Sequence, residues 1–177
     1  EGETAETVVV PAGRQLVPLA VWLAQKPALA ARGDIGVWLA PDERAEVLKD
    51  DLASLPLIAL DFPSFADGRG YSIAYQLRNR LGFAGELRAV GDVLRDQRFF
   101  MARMGFNALA TRPYRSIDDT LKGLTDFSEV YQTAWDQKTP LFRRVARPSA
   151  RPARALRGRR RPPTHRWRPG YDSSCRS

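Results

Sequence analysis

The 177-residue chain has one cysteine and one histidine, Cys175 and His165, and both stand in its last thirteen residues. Residues 1–142 contain neither. That removes from the main body a Ser-His-Asp triad, a cysteine nucleophile and zinc sites built from Cys or His. Haem ligation by His or Cys and iron–sulfur binding by Cys go with them. A single cysteine excludes a disulfide within the chain. His165 sits among arginines and reads as neither ligand nor base. No apolar run approaches the ~18 residues that a membrane-spanning helix needs. The opening EGETAETVVV lacks a basic start followed by an apolar run, so it does not read as a secretory signal. These absences lead to the expectation of a cytoplasmic protein with no metal and no tightly bound cofactor.

Charge is present but unevenly placed. Residues 1–142 hold 16 Lys or Arg against 19 Asp or Glu, a balance of −3. Residues 143–177 hold 12 Arg against one acid, Asp172, a balance of +11. The net +8 therefore belongs to the C-terminal stretch. That stretch carries five prolines and no apolar periodicity, so it cannot repay the entropy of ordering itself. We divide the chain into a poorly defined lead-in (1–15), one α/β domain (16–143) and a disordered Arg/Pro-rich tail (144–177). Dense arginine can neutralise phosphates, so nucleic-acid binding is expected only through this tail. Its composition is also what a shifted reading frame in a GC-rich gene would produce.

The main body alternates strand-like and helix-like segments. Val8–Val10 reads as an edge strand or a frayed lead-in. Residues 17–31 place Leu19, Trp22, Leu23 and Leu29 at helical spacing, with Pro27 set to kink or divide the helix. Ile35–Leu39 is a short apolar strand. Pro41-Asp42-Glu43 looks like a helix start, with Val47, Leu48, Leu52 and Leu55 as its apolar face. Pro56–Phe62 suits a buried parallel strand. Ile73, Ala74, Leu77 and Leu81 make the stripe of the next helix, and Arg78 is read as lying off it. Glu86–Val90 and Phe106–Leu109 are further strands, separated by a helix that Asp92 would cap. Ile117, Leu121 and Leu124 suggest a last helix beginning at Ser116, and Val130-Tyr131 one more strand. The pattern predicts an α/β fold, a small mostly parallel sheet with helices on its faces or part of a β/α-barrel-like arrangement. A complete barrel would need about 250 residues.

The most unusual residues lie in the loop after Phe62. Asp67-Gly68-Arg69-Gly70-Tyr71-Ser72 could form an anion site from amides at a helix start, with Arg69 gripping an oxyanion, Ser72 donating and Tyr71 stacking. The same residues also fit a structural role, with Asp67 as a cap and Gly68 and Gly70 making the turn. Gly68-Arg69-Gly70 lacks the third glycine of a dinucleotide fingerprint, and no P-loop lysine follows. Asp92, Arg95 and Asp96 are spaced to share one helical face. Loops after adjacent parallel strands leave the same sheet edge, so Asp61, Asp67, Arg69, Asp92 and Arg95 would line one cleft. The candidate catalytic groups are Asp67, Asp92 and Asp96. The candidate ligand-binding groups are Gly68, Arg69, Gly70, Tyr71, Ser72 and Arg95. A salt-bridge lattice is the alternative for the same set. Phe99-Phe100-Met101 with Met104 carries more bulky apolars than one buried stripe needs, leaving a face for docking.

The run FADGRGYSIAYQLRNRLGFAGELRAVGDVLRDQRFFMARMGFNAL resembles the core signature of a bacterial family of unknown function, DUF934. The resemblance covers about residues 16–143 and is strongest at 56–109. It runs through Asp67 to Ser72, Arg78, Gly85 to Arg88, Gly91-Asp92, Arg95-Asp96-Gln97 and Gly105-Phe106. Pro140 to Arg144 resembles the usual end of such proteins, and the basic tail departs from it. Family members often have a cysteine where Met104 stands. Members are commonly described as probable oxidoreductases involved in sulfite reduction, beside genes of sulfate assimilation. The resemblance therefore implies an accessory protein of assimilatory sulfite reduction, binding a small oxyanion or docking on sulfite reductase. The alternatives are an oxidoreductase with a borrowed flavin or nicotinamide, an Asp/Arg-based lyase or isomerase, and a binder of anionic polymers through the tail.

Overall fold

Five apolar segments pair side by side in the order in which the chain makes them. The computed structural model describes residues 4–110, 124 and 127–144. Strand β1 (Gln15–Pro18) leads into helix α1 (Leu19–Ala30) and strand β2 (Ile35–Leu39). Strand β3 (Leu57–Phe62), helix α2 (Arg69–Tyr75), strand β4 (Glu86–Gly91), helix α3 (Arg98–Met104) and strand β5 (Ala108–Leu109) follow. Every neighbouring pair is parallel, in the order β1-β2-β3-β4-β5. The result is the expected α/β fold, a parallel sheet flanked by helices.

The order never reverses, and that fixes where the helices go. Right-handed crossovers that all step in one direction carry every connection to the same face of the sheet. The register shows it. Val17, Val37, Ile58 and Leu87 stand in one row, and Leu39, Leu60 and Ala89 in another. All are buried, in one core with Trp22 and Leu29 of α1, Ile73 of α2, Leu77 just after α2, and Met101 of α3. This is the winding of a β/α barrel, opened out. A doubly wound sheet would reverse direction and make a crevice at the reversal. The alternate strand positions, among them Leu16, Trp38, Ala59, Asp61, Arg88 and Ala108, face the other way.

Tertiary packing overrules several local patterns. Val8–Val10 is not a strand. Residues 4–13 lie along α1 instead, where Gln25 Nε2 donates to the Val8 carbonyl at 2.8 Å and Arg32 donates to Val10, Pro11 and Gly13. The edge strand is Gln15–Pro18, and it takes in Val17 from the stretch whose spacing predicts the following helix. The kink near Pro27 does form. Gln25 leaves helical geometry at φ −111°, ψ 17°, since Pro27 lacks an N–H and its ring crowds the preceding turn.

The helix expected after Pro41 is replaced by a 3-10 turn at Ala45–Leu48. Ala45, Leu48 and Asp51 are all buried, which is a spacing of three, the period of the tighter helix. Asp51 is drawn in because Trp22 Nε1 donates to its Oδ2 at 3.0 Å and Lys26 pairs with its Oδ1 at 2.6 Å.

Asp92 caps no helix. Its N–H donates to the Phe62 carbonyl at 2.6 Å, and helix follows only after a 3-10 turn at Arg95–Gln97. Val130-Tyr131 is irregular rather than strand. The segment 127–144 is held on the helical side, where the Trp135 N–H donates to the Arg103 carbonyl and Arg103 pairs with Asp136. Of the last helix expected from Ser116, only Leu124 is described. The tail, apart from Arg144, lies outside the described residues.

Candidate functional site

The loops after β3 and β4 leave the same sheet edge because those strands are adjacent, from Leu57↔Glu86 to Phe62↔Gly91. Gly91 makes the join tight. It has φ +96°, and a Cβ there would lie 2.4 Å from the Phe62 carbonyl oxygen and 2.9 Å from Asp61 Oδ1. Only glycine meets both demands.

Asp67 and Arg69 spend their polar atoms on each other. Asp67 Oδ1 accepts from the Arg69 backbone N–H at 3.1 Å and from Arg69 Nε at 3.0 Å, and Oδ2 accepts from Nη2 at 2.7 Å. These bonds hold the Asp67 carboxyl below its ordinary pKa, although some burial opposes them. They also push the Arg69 guanidinium higher, with a smaller contribution from Asp42. A carboxylate held this way is a weak base. The two glycines have different reasons. Gly68 has φ −90°, and a Cβ there would meet only Tyr71 Cδ2 at an ordinary 3.9 Å, so the turn does not demand glycine. At Gly70 a Cβ would sit 2.6 Å from Phe62 Cζ, so this glycine lets α2 press onto β3.

Helix α2 then divides the candidate ligand groups. Arg69 and Ser72 face the loop after β2 across a cleft of about 400 Å³, whose other walls include Asp42, Glu43, Arg44 and Glu46. The cleft holds three acids against two arginines, so its balance is negative. An oxyanion entering it meets Arg69 already engaged by Asp67. Tyr71 faces the opposite way, toward the loop after β4. Its ring stands edge-on to Phe62 at 5.2 Å and to Phe100 at 5.0 Å. Burial pushes the Tyr71 phenol above its ordinary pKa, and the charge of Asp96 adds to the rise. Asp96 is exposed, and Arg95 is part-buried in the 3-10 turn beside it. Asp92 lies before that turn in non-helical chain, so Asp92, Arg95 and Asp96 do not share one helical face.

Two residues outside the candidate set organise the edge. Asp61, at the end of β3, has its carboxyl pushed up by burial, lowered in part by the Phe62 N–H, and raised further by the Asp67 charge. Gln97 joins the two loops. Its Nε2 donates to the Phe65 carbonyl at 3.1 Å and its Oε1 accepts from the Leu94 N–H at 3.0 Å. Arg78, read from sequence as lying off the apolar stripe, on the surface or in a pair, is buried away from this edge, against the turns that precede β4 and β5. Nε donates to the Gly105 carbonyl at 2.8 Å, and Nη1 donates to the Phe83 carbonyl at 2.6 Å and the Gly85 carbonyl at 3.0 Å. Its guanidinium carbon lies 5.5 Å from the Phe83 ring centre and 5.3 Å from the Trp135 ring centre. The signal was available, since Arg78 follows the buried Ala74 by four and so lies on the buried stripe.

The rim is aromatic. Phe65 and Phe100 are 47% and 45% exposed, and Tyr71 and Gln97 link the loop of one to the helix of the other. Among the described residues, no group of three His, Cys, Asp or Glu is arranged to hold a metal ion. No described helix is long and apolar enough to cross a membrane.

Residues 36–142, which run from within β2 past β5 and include every residue of this edge, match the family model of a bacterial protein of unknown function. The chain belongs to the DUF934 family. The match covers 107 of 177 residues. It therefore includes the Asp67–Arg69 pair, the Gln97 link, the obligatory Gly91 and the Arg78 clamp. No curated protein and no solved structure matches the chain.

Proposed function

We propose that this DUF934 protein is an accessory protein of assimilatory sulfite reduction that acts by docking on sulfite reductase, with no redox centre among its own side chains. The observation that carries docking is the aromatic rim. Phe65 and Phe100 are each about half exposed, beside Tyr71 and the Gln97 link to the Phe65 carbonyl. Exposed aromatics at the centre of a polar surface are what protein interfaces use as anchors. Two features favour binding over catalysis. Asp67 is committed to Arg69, and neither Asp92 nor Asp96 lines the cleft that Arg69 and Ser72 border. The sulfur context is supported by the usual description of DUF934 members alone.

The test is capture of sulfite reductase by the full chain from the same cell type, followed by titration of the purified pair. An absorbance spectrum of each separated component completes it. We expect a complex in which this chain carries no chromophore. The Phe65→Ala and Phe100→Ala variants should each weaken binding by about tenfold or more while staying folded. No complex, or affinities that both variants leave unchanged, overturns docking through this edge. A flavin or nicotinamide bound to this chain overturns the non-redox assignment.

A further inference from the structure

The sheet face opposite the helices has no part in the docking edge, yet it is not built for water. Parallel strands occur almost only where both faces are covered. Here the face that no described helix covers carries Leu16, with Leu57, Trp38, Val90 and Ala108 part-buried around the buried Ala59. Leu16 is 40% exposed. A groove of about 560 Å³ crosses this face near the N-terminal ends of the strands. Leu16 and Leu57 close over Gly36 at its centre, where an added Cβ would lie 3.1 Å and 2.5 Å from their methyl carbons.

We propose that this face is an interface with a second copy of the chain, related by a two-fold axis. The charges argue for that occupant. Arg14 and Asp34 stand at the β1–β2 end of the groove, and Glu86 and Arg88 at the β4 end. Each end therefore holds one charge of each sign. A partner surface of a single sign would meet like charge at both ends. A two-fold axis through the Gly36–Leu57 centre instead brings each end onto the other. Arg14 then meets Glu86 of the partner subunit, and Asp34 meets Arg88 of the partner subunit. Glu86 and Arg88 pair within the chain at 2.5 Å, with side chains 39% and 40% exposed. A guanidinium has five donors and a carboxylate four acceptor positions, so both can take a second partner. Leu16 and Leu57 from both copies fill the centre, giving an apolar middle with a polar rim.

Sedimentation of the full chain at physiological salt tests this directly. We expect a species of twice 19.8 kDa. The double variant Arg14→Glu with Arg88→Glu, and the double variant Asp34→Arg with Glu86→Arg, should each be monomeric, because like charges then meet across the axis. An equimolar mixture of the two should restore a dimer containing one of each. Leu16→Arg, at a position a monomer leaves half open, should also give a monomer with an unchanged circular dichroism spectrum. A monomeric wild-type chain overturns the proposal. So does a dimer that the charge variants and Leu16→Arg leave intact, or a mixture that stays monomeric. Phe65 and Phe100 lie at the C-terminal edge, so these results are separable from those for docking.

Discussion

At the scale of single residues, Arg78 and Asp61 show how burial changes what a charge is for. Arg78 donates to three carbonyls that lie in the turns after α2 and α3. Burial lowers its guanidinium pKa from the ordinary value, but arginine stays charged at neutral pH. Removing it leaves buried carbonyls without donors. We expect Arg78→Met to lower the unfolding free energy by about 3 kcal/mol in urea titration. Arg78→Lys should recover only part of that, because one ammonium cannot serve three carbonyls in the same fork geometry. A loss of less than about 1 kcal/mol for Arg78→Met would show that the clamp is dispensable.

Asp61 acts in the opposite sense. Its folded-state pKa is raised, so folding favours the protonated carboxyl and disfavours the ionised one. The stability it contributes is present below the unfolded value of about 3.9 and is lost as pH rises through the folded value. Asp61→Asn removes that loss. Relative to wild type, the variant should gain stability between acid and neutral pH, by less than about 1 kcal/mol because the group is only partly buried. Unfolding at both pH values checks the sign, and a difference that shrinks toward neutrality contradicts it.

Elements are set by close approaches that no local propensity demands. Helix α2 rests on β3 because Gly70 admits the Phe62 ring. Glycine inside a helix costs about 1 kcal/mol relative to alanine, so propensity alone favours Gly70→Ala. A Cβ within 3.0 Å of three ring carbons outweighs that gain. We expect Gly70→Ala to destabilise by about 1–3 kcal/mol, and by clearly less in a Phe62→Leu background. Equal costs in both backgrounds would mean that the ring is not the obstacle. The helix then widens into a π turn at Gln76–Arg80, where the Leu81 N–H reaches back to Gln76. That wider turn buries both Leu77 and Arg78.

For the whole molecule, the sheet order decides which surfaces are available. A sheet that winds in one direction has helices on one face, loops of functional type along its C-terminal edge, and a second face that its own helices do not reach. The described residues follow that plan. The acids, Arg69 and the aromatic rim collect at the edge, and Leu16, Leu57 and the Glu86–Arg88 pair lie on the other face. The docking and the self-association proposed above therefore concern different surfaces, and one would not hinder the other.

The amino-acid sequence alone determined the alternation of strand and helix, because Ile35–Leu39, Pro56–Phe62 and Glu86–Val90 are short apolar runs bounded by turn residues. It also marked the loop at Asp67–Ser72 as the chemically unusual place, and the adjacency of the loops after β3 and β4 followed from parallel pairing. Three things had to wait for tertiary structure. Val17 fits a strand and a helix equally well, and only pairing with Val37 makes it strand. Arg69 and Tyr71 are two apart in sequence, and only the seating of α2 on Phe62 sends one to the acidic cleft and the other to the aromatic rim. The sheet face that no described helix covers follows from strand order, which is a relation among segments far apart in the chain.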